Sequence, residues 1–202
     1  MIAIVLCGCE VERPPAVPSP PLPLARQIHQ EALHEAPPPD IRVAERGLAE
    51  AIENFAIAVR LLETSAAPPS DDDLARTVEL FAKALESIPN GSSVNAPAAA
   101  ANMRTAVREG RSAGPPGSPP VRQGFAEALG IGIETLLELA DGPYGTSRNV
   151  ITRAVDLRSA LYQVGGTTPP VDDGGRLSDV LRPAVFVMKA ILEVRSEPPR
   201  DE

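Results

Sequence analysis

Residues that could do chemistry are few in this chain, and they stand far apart. The two cysteines form a Cys7-Gly8-Cys9 pair, and the two histidines are His29 and His34. A Cys-x-Cys pair can hold a metal or cycle between thiol and disulfide. A zinc site would need a second half, and no Cys-x-x-Cys motif is present. Glu31-x-x-His34 is half of the pattern with which helical bundles hold paired metals, and it occurs only once. The histidines lie five apart, share a helix face poorly, and read as surface residues. Asp71-Asp72-Asp73 could attract calcium, but no loop of alternating oxygen ligands surrounds them. Gly130-Ile131-Gly132 has only a superficial likeness to a phosphate loop, because no strand precedes it. Close helix–helix approach is the better reason for those glycines. A Gly-x-Ser-x-Gly elbow, a Cys-x-x-Cys-His haem attachment and a glycine-rich dinucleotide motif are all missing. Glu50, Glu127, Glu134 and Glu138 fit solvated helix faces. The expectation is a protein without catalytic, metal-binding or cofactor-binding residues, and so not an enzyme.

One short stretch does carry a specific signal. Residues 1–9, Met-Ile-Ala-Ile-Val-Leu-Cys-Gly-Cys, are uncharged and almost wholly apolar, and Glu10 follows at once. Leu6-Cys7-Gly8-Cys9 resembles the lipobox of bacterial lipoproteins, in which Leu and small residues precede a lipidated cysteine. Cys7 stands where Ala, Ser or Thr is usual. The resemblance implies cleavage before Cys9 and a diacylglycerol on its thiol. One acyl chain anchors marginally, at about 0.8 kcal/mol per buried methylene, whereas two or three hold stably. A secretion signal also needs a basic segment and an apolar core of roughly 7–15 residues. No Lys or Arg precedes Arg13, so the expected translation start lies upstream of Met1. On this reading residues 1–8 are a truncated signal, and the protein sits in the bacterial cell envelope with its domain extracytoplasmic.

Composition bounds the remainder. The 202 residues suggest one domain or two very small ones, and 43% hydrophobic content suffices for a core. With 3% aromatics, that core must be mostly Leu, Ile, Val and Ala. The net charge of −8 argues against nucleic acid, whose phosphates demand a basic face. It argues equally against a peripheral site on anionic headgroups. The expected partners are the membrane, through lipid on Cys9, and a protein of the envelope.

Residues 9–23 combine the attachment point with a stem, since Pro14 to Pro23 is dense in proline. Extended at about 3.1 Å per residue, this stretch reaches on the order of 40 Å. Helical spacing then dominates from residue 24 to 197. A short helix is expected over Leu24–Ala36, with Leu24, Ile28 and Ala32 on one face. A long helix follows over Ile41–Thr64, where Ala44, Leu48, Ala51, Phe55, Ala58 and Leu62 form a stripe. Ser70 with Asp73 has the form of a capping box for a helix over Leu74–Ile88. Asn95–Gly110 is alanine-rich, with Met103 and Val107 inward, and Ser112–Pro120 reads as a linker halving the chain. Val121–Ala140 and an Asn149-capped Val150–Val164 come next. A last helix is expected over about 179–195, with residues 172–175 as loop and Pro183 in its first turn.

Two hexapeptides, Gly47-Leu-Ala-Glu-Ala-Ile52 and Gly124-Phe-Ala-Glu-Ala-Leu129, are nearly identical at an offset of 77. Each opens an amphipathic helix, and each is followed by a second. This predicts a duplicated helical hairpin, with half-repeats over about 40–110 and 119–166. Separately, Phe81 to Asn90 resembles the second helix of a tetratricopeptide repeat over about ten residues, without a supporting period. The fold class is therefore all-α, a bundle of about five to seven helices, with any others at its ends or sides. The expected role is non-enzymatic binding or scaffolding at the membrane. The alternatives are a helical-repeat adaptor, or a bundle carrying a small ligand, haem or metal.

Overall fold

A computed structural model describes residues 41–64, 68–88, 94–166 and 168–196. The chain divides into Met1–Pro38 and Pro39–Glu202, and every described helix belongs to the second unit. That unit begins later than residue 24. Cys9, His29, Glu31, His34 and the expected Leu24–Ala36 helix lie outside the described residues.

Six helices and no strand make up the described residues: α1 (Ile41–Thr64), α2 (Asp71–Glu86), α3 (Ala96–Ala113), α4 (Pro119–Asp141), α5 (Arg148–Gln163) and α6 (Gly174–Ser196). The fold is an all-α bundle. Its helix ends follow local chemistry. Asp73 N–H donates to Ser70 Oγ at 3.1 Å and Ser70 N–H to Asp73 Oδ2 at 3.2 Å, completing the capping box. Asn95 caps α3 by accepting from Ala98 N–H at 3.0 Å. α5 closes with a Schellman motif: Gly166 N–H reaches Leu161 O and Gly165 N–H reaches Tyr162 O, both at 3.2 Å. Both glycines have positive φ, of 92° and 148°.

Four helix starts differ by two residues or more from the sequence reading, and of these α2 begins at Asp71 rather than Leu74 because Ser70 caps it. α4 begins at Pro119, because a missing N–H costs nothing in a first turn. α5 is capped by Ser147, not Asn149, whose side-chain amide instead donates to Glu193 at 2.7 Å. α6 begins at Gly174, five residues before the expected start at Asp179. Asp173 Oδ1 accepts from Arg176 N–H at 3.1 Å and so caps it. The Gly174-Gly175 pair was read as a breaker, but Gly174 is there for space. A Cβ on it would lie 2.7 Å from Leu62 O of α1. Pro183 therefore sits in the helix interior rather than the first turn, and Asp179 O loses its helical donor.

Packing is sequential from α1 to α4, and α6 then returns to lie on α1. Ion pairs Arg182–Glu63 at 2.6 Å and Lys189–Glu53 at 3.6 Å make this last contact antiparallel. α6 is thus a central helix, touching α1, α4 and α5, rather than an addition at the side. The supposed linker is a tight connection between α3 and α4. These two helices meet where Gly110 faces Gly124, and a Cβ on Gly124 would fall 2.7 Å from Ala106 O. Gly47, the counterpart of Gly124 in the repeated hexapeptide, is exposed, and a Cβ on it would meet nothing within 4 Å. The two expected hairpins also differ, since α2 packs broadly on α1 while α5 leans mainly on α6.

The core is a single cluster with Phe55, Phe81 and Phe125 fully buried. Phe55 and Phe81 stack at 4.6 Å between centroids. Gly132 lets Phe81 approach α4, because a Cβ there would sit 2.7 Å from the ring. Phe186 stands apart from the other three phenylalanines: it is 44% exposed. Ala44 likewise stands in solvent at the start of α1.

Candidate functional site

A cleft lies where the start of α2 meets the turn between α3 and α4. It encloses about 640 Å³, with Asp71, Asp72, Arg111, Gly117, Val121 and Arg122 on its walls. Arg122 is the centre of the arrangement, and its side chain is only 19% exposed. Its position in the first turns of α4 aims it back at two other connections. Nη1 donates to Pro69 O at 2.8 Å and to Val171 O at 3.4 Å. Nε lies 3.6 Å from Asp71 Oδ1 and 3.8 Å from Asp172 Oδ1. Asp71 Oδ2 in turn accepts from Gly117 N–H at 2.7 Å. One arginine thereby ties together the α1–α2, α3–α4 and α5–α6 connections.

What this cluster can do chemically follows from how its groups are occupied. Asp71 Oδ1 accepts no hydrogen bond and is sealed from solvent. Its nearest cation is Arg122, so it serves the clasp and is out of reach from the cleft. At the rim, Arg111 lies over the Phe125 ring at 5.7 Å, with Asp72 at 3.9 Å. These pairs neutralise one another. The cleft offers charge pairs, and Ser70 Oγ on its wall donates to Asp73 Oδ2 at 2.6 Å within the capping box.

A second ionic cluster braces α2 against α3. Arg104 donates to Glu79 through Nε at 2.8 Å and Nη2 at 3.0 Å, and through both terminal nitrogens to Glu86. The Glu79 carboxyl is held below the usual carboxylate range, first by its hydrogen bonds from Arg104, with burial opposing. The Arg104 pKa is raised by the same bonds, led by Glu86. Half-buried Tyr144 is pushed up by burial, partly offset by Arg195.

The sign for Glu79 is that of a depressed carboxylate. Its stabilisation is present above the unfolded pKa and is lost as pH falls through the lower folded value. Glu79→Gln should therefore flatten the acid limb of the stability profile as pH falls below the ordinary glutamate range. Solvent screening keeps the change below about 1 kcal/mol, because both partners are more than a third exposed or close to it. Urea midpoints over a pH series would read it, and an unchanged slope would remove Glu79 from the acid response.

Of the described residues singled out in the sequence, Glu127 and Glu134 share a cleft along α4 with Gly130 and Ile131, whereas Glu50 and Asp71 to Asp73 lie elsewhere. Glu50, Glu127, Glu134 and Glu138 are exposed, on α1 and α4. Asp71 to Asp73 start a helix, with Asp71 in the clasp and Asp73 in the capping box. Among the described residues no group of three His, Cys, Asp or Glu is gathered as a metal would require. Arg122 and Arg104 had no local signal, because their partners lie far along the chain. Scans against protein-family models, curated proteins and solved structures each returned no match.

Proposed function

We propose that this chain is a lipid-anchored protein of the bacterial cell envelope whose helical domain binds or scaffolds without catalysis. The observation that carries this reading is Leu6-Cys7-Gly8-Cys9, followed directly by a charged and proline-rich stem. Several features of the domain support the binding half. Its cleft charges are paired with each other, and the Arg122 clasp fixes three connections in place. The return of α6 onto α1 favours a closed bundle over an open stack of hairpins with a concave groove. No described helix is long and apolar enough to cross a membrane, so attachment through lipid would fall to Cys9.

The deciding experiment is intact mass of the protein from its native host, together with detergent-phase partitioning. The expected result is a mature chain starting at Cys9 and heavier by diacylglycerol and acyl mass. Cys9→Ala should move the protein to the aqueous phase. Unmodified Cys9 in an aqueous-phase protein would sink the reading.

A further inference from the structure

The net charge of −8 conceals an uneven distribution over the helices. α2 carries five carboxylates against Arg76 and Lys83, and α4 carries four against Arg122. α5 and α6, which pack on each other, reverse this balance. α5 has Arg148, Arg153 and Arg158 against Asp156 alone, and α6 has four cations against Asp179 and Glu193. α2 touches neither of them.

The basic side is also apolar. Val150, Ala154, Leu157 and Leu161 turn one face of α5 to the core. Ile151, Val155 and Tyr162 form a second stripe, about 110° around the helix at 100° per residue. They are 45%, 52% and 87% exposed. Arg148 and Arg158 flank that stripe. From the other edge of α5, Arg153 reaches across to the exposed Phe186 of α6, with its guanidinium 5.5 Å from the ring centroid. Arg153 and Arg158 have carboxylate partners in Asp156 and Asp141, and Arg148 has none among the described residues.

We propose that the Ile151, Val155 and Tyr162 stripe of α5, with Arg148 and Arg158 on its flanks, rests on an anionic bilayer surface. Arginine stems lie along apolar surface while their guanidinium groups meet phosphates, and tyrosine settles at headgroup level. The charge complementarity is local: α5 carries three cations against one carboxylate, whereas most of the −8 lies outside the six helices. A helix face that is convex, basic and apolar matches a lipid surface better than a peptide, which needs a groove. The inference rests on the anchor proposed above, since a tethered domain needs only weak surface affinity to stay in place.

The test uses the full chain as Cys9→Ser, so that lipid on the cysteine plays no part. Flotation is measured at low salt with vesicles of phosphatidylcholine alone and of phosphatidylcholine with phosphatidylglycerol. Binding should require phosphatidylglycerol and should fall as salt rises. Arg148→Glu and Tyr162→Ser should each weaken it about tenfold. Lys83→Glu makes the same charge change on α2 and should alter it less than about twofold. All three side chains are exposed, and Val155→Ser is a second apolar variant should one of these fail to fold. Equal weakening by Lys83→Glu would overturn the proposal, as would no binding to either vesicle. A concentration-dependent dimer, abolished by Tyr162→Ser without vesicles, would assign the face to a second copy instead. None of these failures touches the mass measurement that tests the anchor.

Discussion

Phe81→Ala should cost about 3–5 kcal/mol of folding stability, much of the reserve of a domain this size. The ring is fully buried, stacks on Phe55 at an interplanar angle of 16°, and fills the gap that Gly132 leaves on α4. Its loss therefore opens a cavity shared by α1, α2 and α4. Gly132 has no side chain to fill it and an alanine methyl restores little of the ring's volume, so the flexible Met103 beside the same glycine is what remains to close part of it. With few aromatics in the chain, no second large ring stands ready to take its place. Urea denaturation followed by far-ultraviolet circular dichroism would measure the effect. A cost below about 1 kcal/mol would mean that the helices close up and the stack is dispensable. Phe186→Ala is the matched control and should cost far less, because that ring is 44% exposed.

Arg122→Met should cost about 3 kcal/mol, for a different reason. Methionine keeps much of the stem but removes every donor. The carbonyls of Pro69 and Val171 lose their partner, and Asp71 remains buried without its counter-ion. Arg122→Lys should recover only part of this, since one ammonium cannot span both carbonyls and Asp71 at once. Asp71→Asn in the Arg122→Met background should restore some stability by removing the stranded charge. A double-mutant cycle on denaturation midpoints would give the coupling. A coupling near zero would show that the three connections hold their places without the clasp.

Repeating patterns were the legible part of this chain. The stripe Leu48, Ile52, Phe55, Val59 and Leu62 appears as a buried face of α1, and Ser70 with Asp73 caps α2 as its spacing foretold. α4 and α5 end at Asp141 and Gln163, each within one residue of the expected Ala140 and Val164. Errors clustered where one residue type has two physical uses. Gly174-Gly175 was taken for a loop, although Gly174 serves close packing against Leu62 and Asp173 caps the helix. Asn149 was taken for a cap, although Ser147 stood two residues earlier in an equally suitable position. The Ser112–Pro120 segment has linker composition, but the Gly110–Gly124 contact beside it brings its helices together. The candidate site was not legible at all. Arg122 meets Pro69 and Val171 only after the chain has folded, and no local spacing foretells such a meeting.

The antiparallel seam of α1 and α6 bears on how this protein acquires its fold. Glu53 meets Lys189, and Glu63 meets Arg182, across more than a hundred residues of intervening chain. Such distant contacts form only after a large loss of chain freedom, so they slow folding relative to the local α2–α3 and α3–α4 pairs. Until the last helix emerges from the ribosome, the apolar stripe of α1 has no partner on that side. A nascent chain is thereby kept from completing its core until α6 is made, which prolongs the exposure of the apolar face of α1.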